Sequence, residues 1–170
     1  MNTYLVLTLI GKDKPGLVEQ LAQTISKHSG NWLESSMSQP AGKFAGILRV
    51  SVPDQHADAL IKALQGMSSG LKLVIEKADD VVRDEPQQTV TLSLVGNDRP
   101  GIIREISHIL AKRGVNVEDL ETECVPAPMS AEILFKAKAI LKVPTDVELT
   151  VLQAALEKLA DDLIVEIQLS

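Results

Sequence analysis

The apolar positions along this chain change period repeatedly, and each change marks an element. Leu5, Leu7 and Leu9 alternate with other residues, which is the two-residue period of a strand with one buried face. Leu17, Val18, Leu21, Ala22 and Ile25 then fall on one helical face. Residues 31–38 read as a second, less apolar strand. Phe44, Gly46, Leu48, Val50 and Val52 share one parity and predict a third. Leu60, Ile61 and Leu64 give residues 54–66 a helical spacing, and Leu71, Leu73 and Ile75 alternate again. The same order then returns. Val90, Leu92 and Leu94 predict a strand, and Ile102, Ile103, Ile106, Ile109 and Leu110 line a helix. A strand follows over residues 115–125, and Ile133, Phe135, Ala137, Ala139, Leu141 and Val143 form the next. Leu152, Ala155, Leu156 and Leu159 line a second helix, and Leu163, Val165, Ile167 and Leu169 close the chain as a strand. Each half is βαββαβ. The fold class is therefore α+β, two ferredoxin-like units in tandem, each an antiparallel sheet with helices on one face. This connectivity puts the first and third strands in the middle of each sheet, and those are the most apolar ones.

The recurrence extends to residue identity. Residues 3–31 align without gaps on residues 88–116 at an offset of 85, and eight of the 29 pairs are identical: Leu7/Leu92, Leu9/Leu94, Gly11/Gly96, Asp13/Asp98, Pro15/Pro100, Gly16/Gly101, Lys27/Lys112 and Asn31/Asn116. Four of the eight identities cluster in G-x-D-x-P-G, present as Gly11–Gly16 and Gly96–Gly101. A fixed offset with clustered identities marks a duplication. The polar run Asp79–Gln88, which carries Pro86, reads as a linker between a first domain at 1–78 and a second at 89–170.

The repeated motif falls between the first strand and first helix of each half. Proline lacks an N–H and has a fixed φ, which suits a first helical position, so the helices are expected to start at Pro15 and Pro100. Asp13 and Asp98 then lie where a carboxylate accepts unpaired helical N–H groups. A glycine in a first helical turn costs about 1 kcal/mol relative to alanine. Both halves accept that cost at Gly16 and Gly101, and the missing Cβ leaves room for a close approach. Exposed N–H groups of a first turn suit a small anion such as an amino-acid carboxylate. Asn31 and Asn116, just past the first helix, offer a donor and an acceptor to a zwitterion. Pairing of modules would bring the helix of one against the second strand of another. The spacing alone leaves a plainer reading equally open: a strand-to-helix turn built from a bending glycine, a capping aspartate and an initiating proline, with the asparagines as left-handed caps.

Composition narrows the functions available. A chain of 170 residues with 45% hydrophobic residues buries a core. Its net charge of −6 gives no electrostatic hold on phosphate backbones, and four aromatics (Tyr4, Trp32, Phe44, Phe135) leave almost nothing to stack on bases, so no direct nucleic-acid binding is expected. No apolar run approaches the ~20 residues of a membrane span, and the first residues lack a secretory pattern, so a cytoplasmic protein is expected. The single cysteine, Cys124, has no His or Cys at ligand spacing, so no metal site is expected. His28, His56 and His108 fall on helices as solvated residues, and no nucleophile constellation appears, so neither catalysis nor a cofactor is expected. The acidic run Glu118, Asp119, Glu121 and Glu123 reads as a solvated strand face, with a basic partner as the alternative. Residues 1–86 carry 9 basic and 10 acidic groups and residues 87–170 carry 8 and 13, which directs any basic partner to the second half.

The βαββαβ unit, the D-[KR]-P-G-[LI] loop and the asparagine at the second strand together resemble the ACT domain, and the resemblance covers essentially the whole chain. It implies a regulatory module that binds amino acids between paired copies. For a free-standing chain of two copies it implies a bacterial cytoplasmic regulator of glycine breakdown. Such a regulator represses transcription by contact with an activator protein, and a small amino acid, glycine before others, is its effector. The alternative role is a regulatory subunit of an amino-acid or folate enzyme. Carried over position by position, the ligand residues are Asp13, Lys14, Pro15, Gly16, Leu17 and Asn31, and Asp98, Arg99, Pro100, Gly101, Ile102 and Asn116. The copies differ at Lys12/Asn97 and Gly30/Val115, so one pocket is expected to bind more weakly. Gly101→Val is expected to leave the fold intact and weaken amino-acid binding. Open sheet edges make a homodimer a further expectation.

Overall fold

The computed structural model describes residues 1–67, 70–78 and 86–170. It divides into two compact units, Met1–Val82 and Arg83–Ser170. The first unit runs β1 (Asn2–Lys12), α1 (Leu17–Lys27), β2 (Asn31–Ser38), a short 3-10 turn at Pro40–Gly42, β3 (Lys43–Pro53), α2 (Asp54–Gln65) and β4 (Lys72–Lys77). The second runs β5 (Gln87–Asn97), α3 (Ile102–Lys112), β6 (Asn116–Pro126), β7 (Ile133–Pro144), α4 (Leu149–Glu157) and β8 (Ile164–Leu169). Of the expected linker, residues 79–85 lie outside the described residues, while Gln87 and Gln88 belong to β5.

Each unit holds one four-stranded sheet, in the order β2-β3-β1-β4 and β6-β7-β5-β8, with every neighbouring pair antiparallel. The first and third strands occupy the centre, as their apolar character predicts. Leu5, Leu7 and Leu9 point to one face and are at most 1% exposed. Register sets Leu5 beside Val50 and Leu7 beside Leu48. Leu17, Leu21 and Ile25 of α1 and Ala57, Leu60 and Leu64 of α2 join them in one core, so both helices cover the same face. The second unit repeats this with Val90, Leu92 and Leu94 against Ile106, Leu110, Leu152 and Leu156. Each fully buried leucine side chain contributes about 1.5–3 kcal/mol of transfer free energy, so these stripes hold the units together. Val18, expected on the core face, is 46% exposed. Helix α4 ends at Glu157, so Leu159 packs on the core from beyond its end.

The helices do not start where the prolines stand. Helix α1 begins at Leu17 and α3 at Ile102, and the residues before them, Gly16 and Gly101, are N-caps in the left-handed region at φ +88° and +83°. Their ψ values, 0° and 4°, are those of the third position of a type II turn, whose second position favours proline. In the second unit the turn closes with Ile102 N–H donating to Arg99 O at 3.4 Å. Glycine is therefore the favourable residue at this place and not a tolerated cost within a helix.

Both first helices end in the same hydrogen-bonded motif. Gly30 N–H donates to Ile25 O and Ser29 N–H to Ser26 O; Val115 N–H donates to Leu110 O and Gly114 N–H to Ala111 O. This is the Schellman pattern, with its left-handed residue at Ser29 (φ +60°) and Gly114 (φ +71°). Asn31 and Asn116 have no positive φ, so the reading of them as left-handed caps does not hold.

Candidate functional site

The motif loops leave the C-terminal ends of β1 and β5. Gly11 and Gly96, the first glycines of the motif, admit a neighbour: a Cβ would lie 2.8 Å from Leu71 Cδ2 in one unit and 2.9 Å from Leu163 Cδ1 in the other. Neither helix N-terminus has a side-chain cap hydrogen bond, so Asp13 and Asp98 do not cap as expected. The unpaired N–H groups of the first turns stay open, at the favourable end of the helix dipole for an anion. A Cβ at Gly16 or Gly101 would meet nothing within 4 Å. The first loop opens onto a depression of about 450 Å³ lined by Asp13, Lys14, Pro15, Gly16, Gln39 and Phe44. The second loop opens onto one of about 500 Å³ lined by Pro100, Gly101, Arg104, Glu105 and His108. Gln39 and Phe44 had no signal in the motif. They come from the β2–β3 turn and the start of β3, and only the folded hairpin brings them to the loop.

The asparagines stand elsewhere. Asn31 pairs with Ser51, which pairs with Tyr4, so Asn31 lies at the end of the sheet where β1 begins. From Tyr4 to Lys12, a rise of ~3.3 Å per residue places the motif loop about 26 Å away. Asn116, opposite Lys142 and Thr89, is placed the same way in the second unit. Within a module, the loop residues come together and the asparagine does not join them. Gly101→Val also carries a backbone cost that spacing does not show, because a branched residue at φ +83° is strained whatever space surrounds it.

The electrostatics of the two loops differ. Arg99 Nη2 donates to the Glu105 carboxylate, and Arg99 also donates to Leu159 O at 3.5 Å. The hydrogen bond and charge of Arg99 hold the Glu105 carboxyl below the ordinary glutamate range, and Glu105 in turn raises the arginine. Asn97 N–H donates to Asp162 Oδ2 at 2.6 Å. Cys124, exposed on β6, lies beside Asp98; reduced hydration and then the aspartate's charge and hydrogen bond push its thiol up. In the first loop Lys14 has no side-chain partner among the described residues, and Glu19 accepts from Gln23 Nε2 at 3.4 Å.

The acidic run of β6 acquires a register that sequence does not supply. Glu121 stands directly opposite Lys138 and Glu123 opposite Lys136, so each of these charges has an opposite neighbour on β7. A bulge between Val117 and Asp119 sets this phase. The same bulge lies between Trp32 and Ser35 of β2, and register makes Trp32 and Val117 equivalent, opposite Val50 and Leu141. Trp32 packs on the first core. In the second unit an apolar cleft of about 30 Å³ lies at this level, between α3 and β6, lined by Ile103, Ile106, Leu110, Val117 and Leu120 among others. No group of three His, Cys, Asp or Glu residues suited to a metal, and no helix long and apolar enough to cross a membrane, occurs among the described residues.

The ACT domain family matches residues 3–77 and again residues 88–170. The chain belongs to the ACT-domain family. Its two matched segments are the two units of the structure, each with a motif loop at the end of its first strand. Among curated proteins, this ACT-domain chain is similar to the glycine cleavage system transcriptional repressors of Escherichia coli (strain K12) and Shigella flexneri, 24% identical over 127 residues in each case. The match takes in 73% of this chain and 66% of each relative, just under two thirds of their length. Among solved structures, an unknown protein from Galdieria sulphuraria covers 100% of this chain over 99% of its own, with a TM-score of 0.86 and 25% identity. A crystal structure assigned provisionally to a glycine cleavage system transcriptional repressor covers 100% of this chain over 98% of its own, with a TM-score of 0.70 and 16% identity, and it shares the fold.

Proposed function

We propose that this ACT-domain protein is a non-catalytic, amino-acid-sensing regulator. On this reading it represses the glycine cleavage system by contact with an activator protein and not by holding DNA. The observation that carries the reading is the pair of ACT matches in one chain, together with its similarity to curated repressors of that system. The net charge of −6 supports a protein partner over nucleic acid. The ligand is a small amino acid, glycine before others. Its carboxylate meets the open first turn at Asp13–Leu17 or Asp98–Ile102, and its ammonium meets the loop carboxylates. Asn31 and Asn116 touch such a ligand only where another module brings its second strand to the loop. The first domain ends at residue 78 and the second begins with β5 at Gln87, and pairing of chains into a homodimer fits the exposed sheet edges.

Thermal unfolding of the full chain in the presence of each of the twenty amino acids tests the sensor. A ligand that prefers the folded state raises the melting temperature, by an amount that grows with concentration. Glycine is expected to shift it most, and twenty flat responses would overturn the reading. Affinity capture from bacterial extract tests the partner. A transcription activator in the bound fraction, released by glycine, is the expected result. An amino-acid or folate enzyme in its place would make the chain a regulatory subunit.

A further inference from the structure

We infer that the two loops have diverged, so that the first receives the ligand carboxylate while the second is occupied by a carboxylate of its own, and that the residue at position 20 in one copy and 105 in the other decides which. This rests on the reading of the loops as amino-acid sites. Gln20 and Glu105 hold the same helical place: their N–H groups donate to Gly16 O at 3.0 Å and Gly101 O at 3.1 Å. Only the second copy has a carboxylate there, and it engages Arg99, the motif cation. Arg104, one residue before Glu105, also attracts that carboxylate. A second acid stands close by. Asp162 precedes Leu163, and Leu163 fits against Gly96 as Leu71 fits against Gly11. The first copy has Gly70 where the second has Asp162.

An amino acid approaching the second loop meets an Arg99 already engaged by Glu105, within the field of Asp98, Glu105 and Asp162. At the first loop, Lys14 is uncommitted among the described residues and rims the depression with Asp13, Glu19 and Gln39. Those groups divide between the two ends of a zwitterion, the carboxylate toward Lys14 and the ammonium toward Asp13 and Glu19. Exposed ion pairs are individually weak, so the discrimination is modest, about fivefold in affinity.

The test is a titration of the full-length, isotopically labelled chain with glycine and with serine, following the backbone amide signals of Gly16 and Gly101 separately by NMR. The Gly16 signal is expected to saturate at about fivefold lower ligand than the Gly101 signal. Gln20→Glu is expected to weaken binding at the first loop about fivefold and leave the second unchanged. Glu105→Gln is expected to tighten the second loop and leave the first unchanged. Both positions are exposed on helices, and the dispersion of the remaining signals reports that each variant is folded. Equal midpoints in the wild-type chain, a tighter second loop, or indifference of the Gly101 signal to Glu105→Gln would overturn the inference and leave the sensor reading standing. If neither amide responds to any amino acid, the sensor reading fails and this inference falls with it.

Discussion

Alanine at Gly101 separates two reasons for a glycine, space and backbone conformation. Nothing lies within 4 Å of a Cβ built there, so alanine collides with no neighbour. The backbone, at φ +83°, is where the substitution costs, because an L residue in the left-handed region loses about 1–2 kcal/mol. For a unit of this size each kcal/mol lowers the melting temperature by about 4–8 °C, so Gly101→Ala is expected to melt about 4–16 °C below the wild-type chain. Asparagine visits the left-handed region more readily than other non-glycine residues, so Gly101→Asn is expected to recover part of the loss. Melts followed by far-ultraviolet circular dichroism supply both numbers, and Gly16→Ala and Gly16→Asn repeat the comparison in the first unit. An alanine variant that melts with the wild type, or an asparagine variant as damaged as the alanine one, would refute the conformational account.

The left-handed position at the end of α1 gives the opposite experiment: Ser29→Gly is expected to stabilise the chain by about 1 kcal/mol, measured by urea unfolding, because the second copy already has glycine there. Trp32→Val is expected to cost about 2 kcal/mol in the same assay through lost packing. The Glu105 carboxyl is expected to titrate below the ordinary glutamate range by NMR and to move up toward it in Arg99→Gln. Because the folded form holds that group low, its small contribution to stability is present above the unfolded-state value and fades as pH falls through the folded-state one. Asp98→Asn is expected to speed alkylation of Cys124 at neutral pH, read by mass spectrometry, since the aspartate helps keep the thiol protonated.

The fold was legible wherever one face of an element is buried. Alternation at Leu5, Leu7 and Leu9 and helical spacing at Leu17, Leu21 and Ile25 come directly from burial, so the elements and their order follow from period alone. The motif was legible as a repeat but not in its local geometry. Proline is compatible both with a first helical residue and with the second position of a type II turn, and only the φ of the following glycine separates them. Contacts made across strands were hidden. Gln39 and Phe44 reach the first loop through a hairpin, and Lys136 and Lys138 face Glu123 and Glu121 through a register displaced by a bulge. The distance of the asparagines from the loops was hidden for a related reason: residue number places Asn31 near Gly16, whereas the strand direction sends it to the far end of the sheet.

The placement of Trp32 also gives the protein an internal reporter. It is the sole tryptophan of the chain and packs on the core of the first unit, while valine holds the matching position in the second. Intrinsic fluorescence excited at the indole band therefore records the melting of one copy, whereas circular dichroism records both. The difference between the two curves measures how unequally the duplicated halves resist denaturant, without any label or truncation.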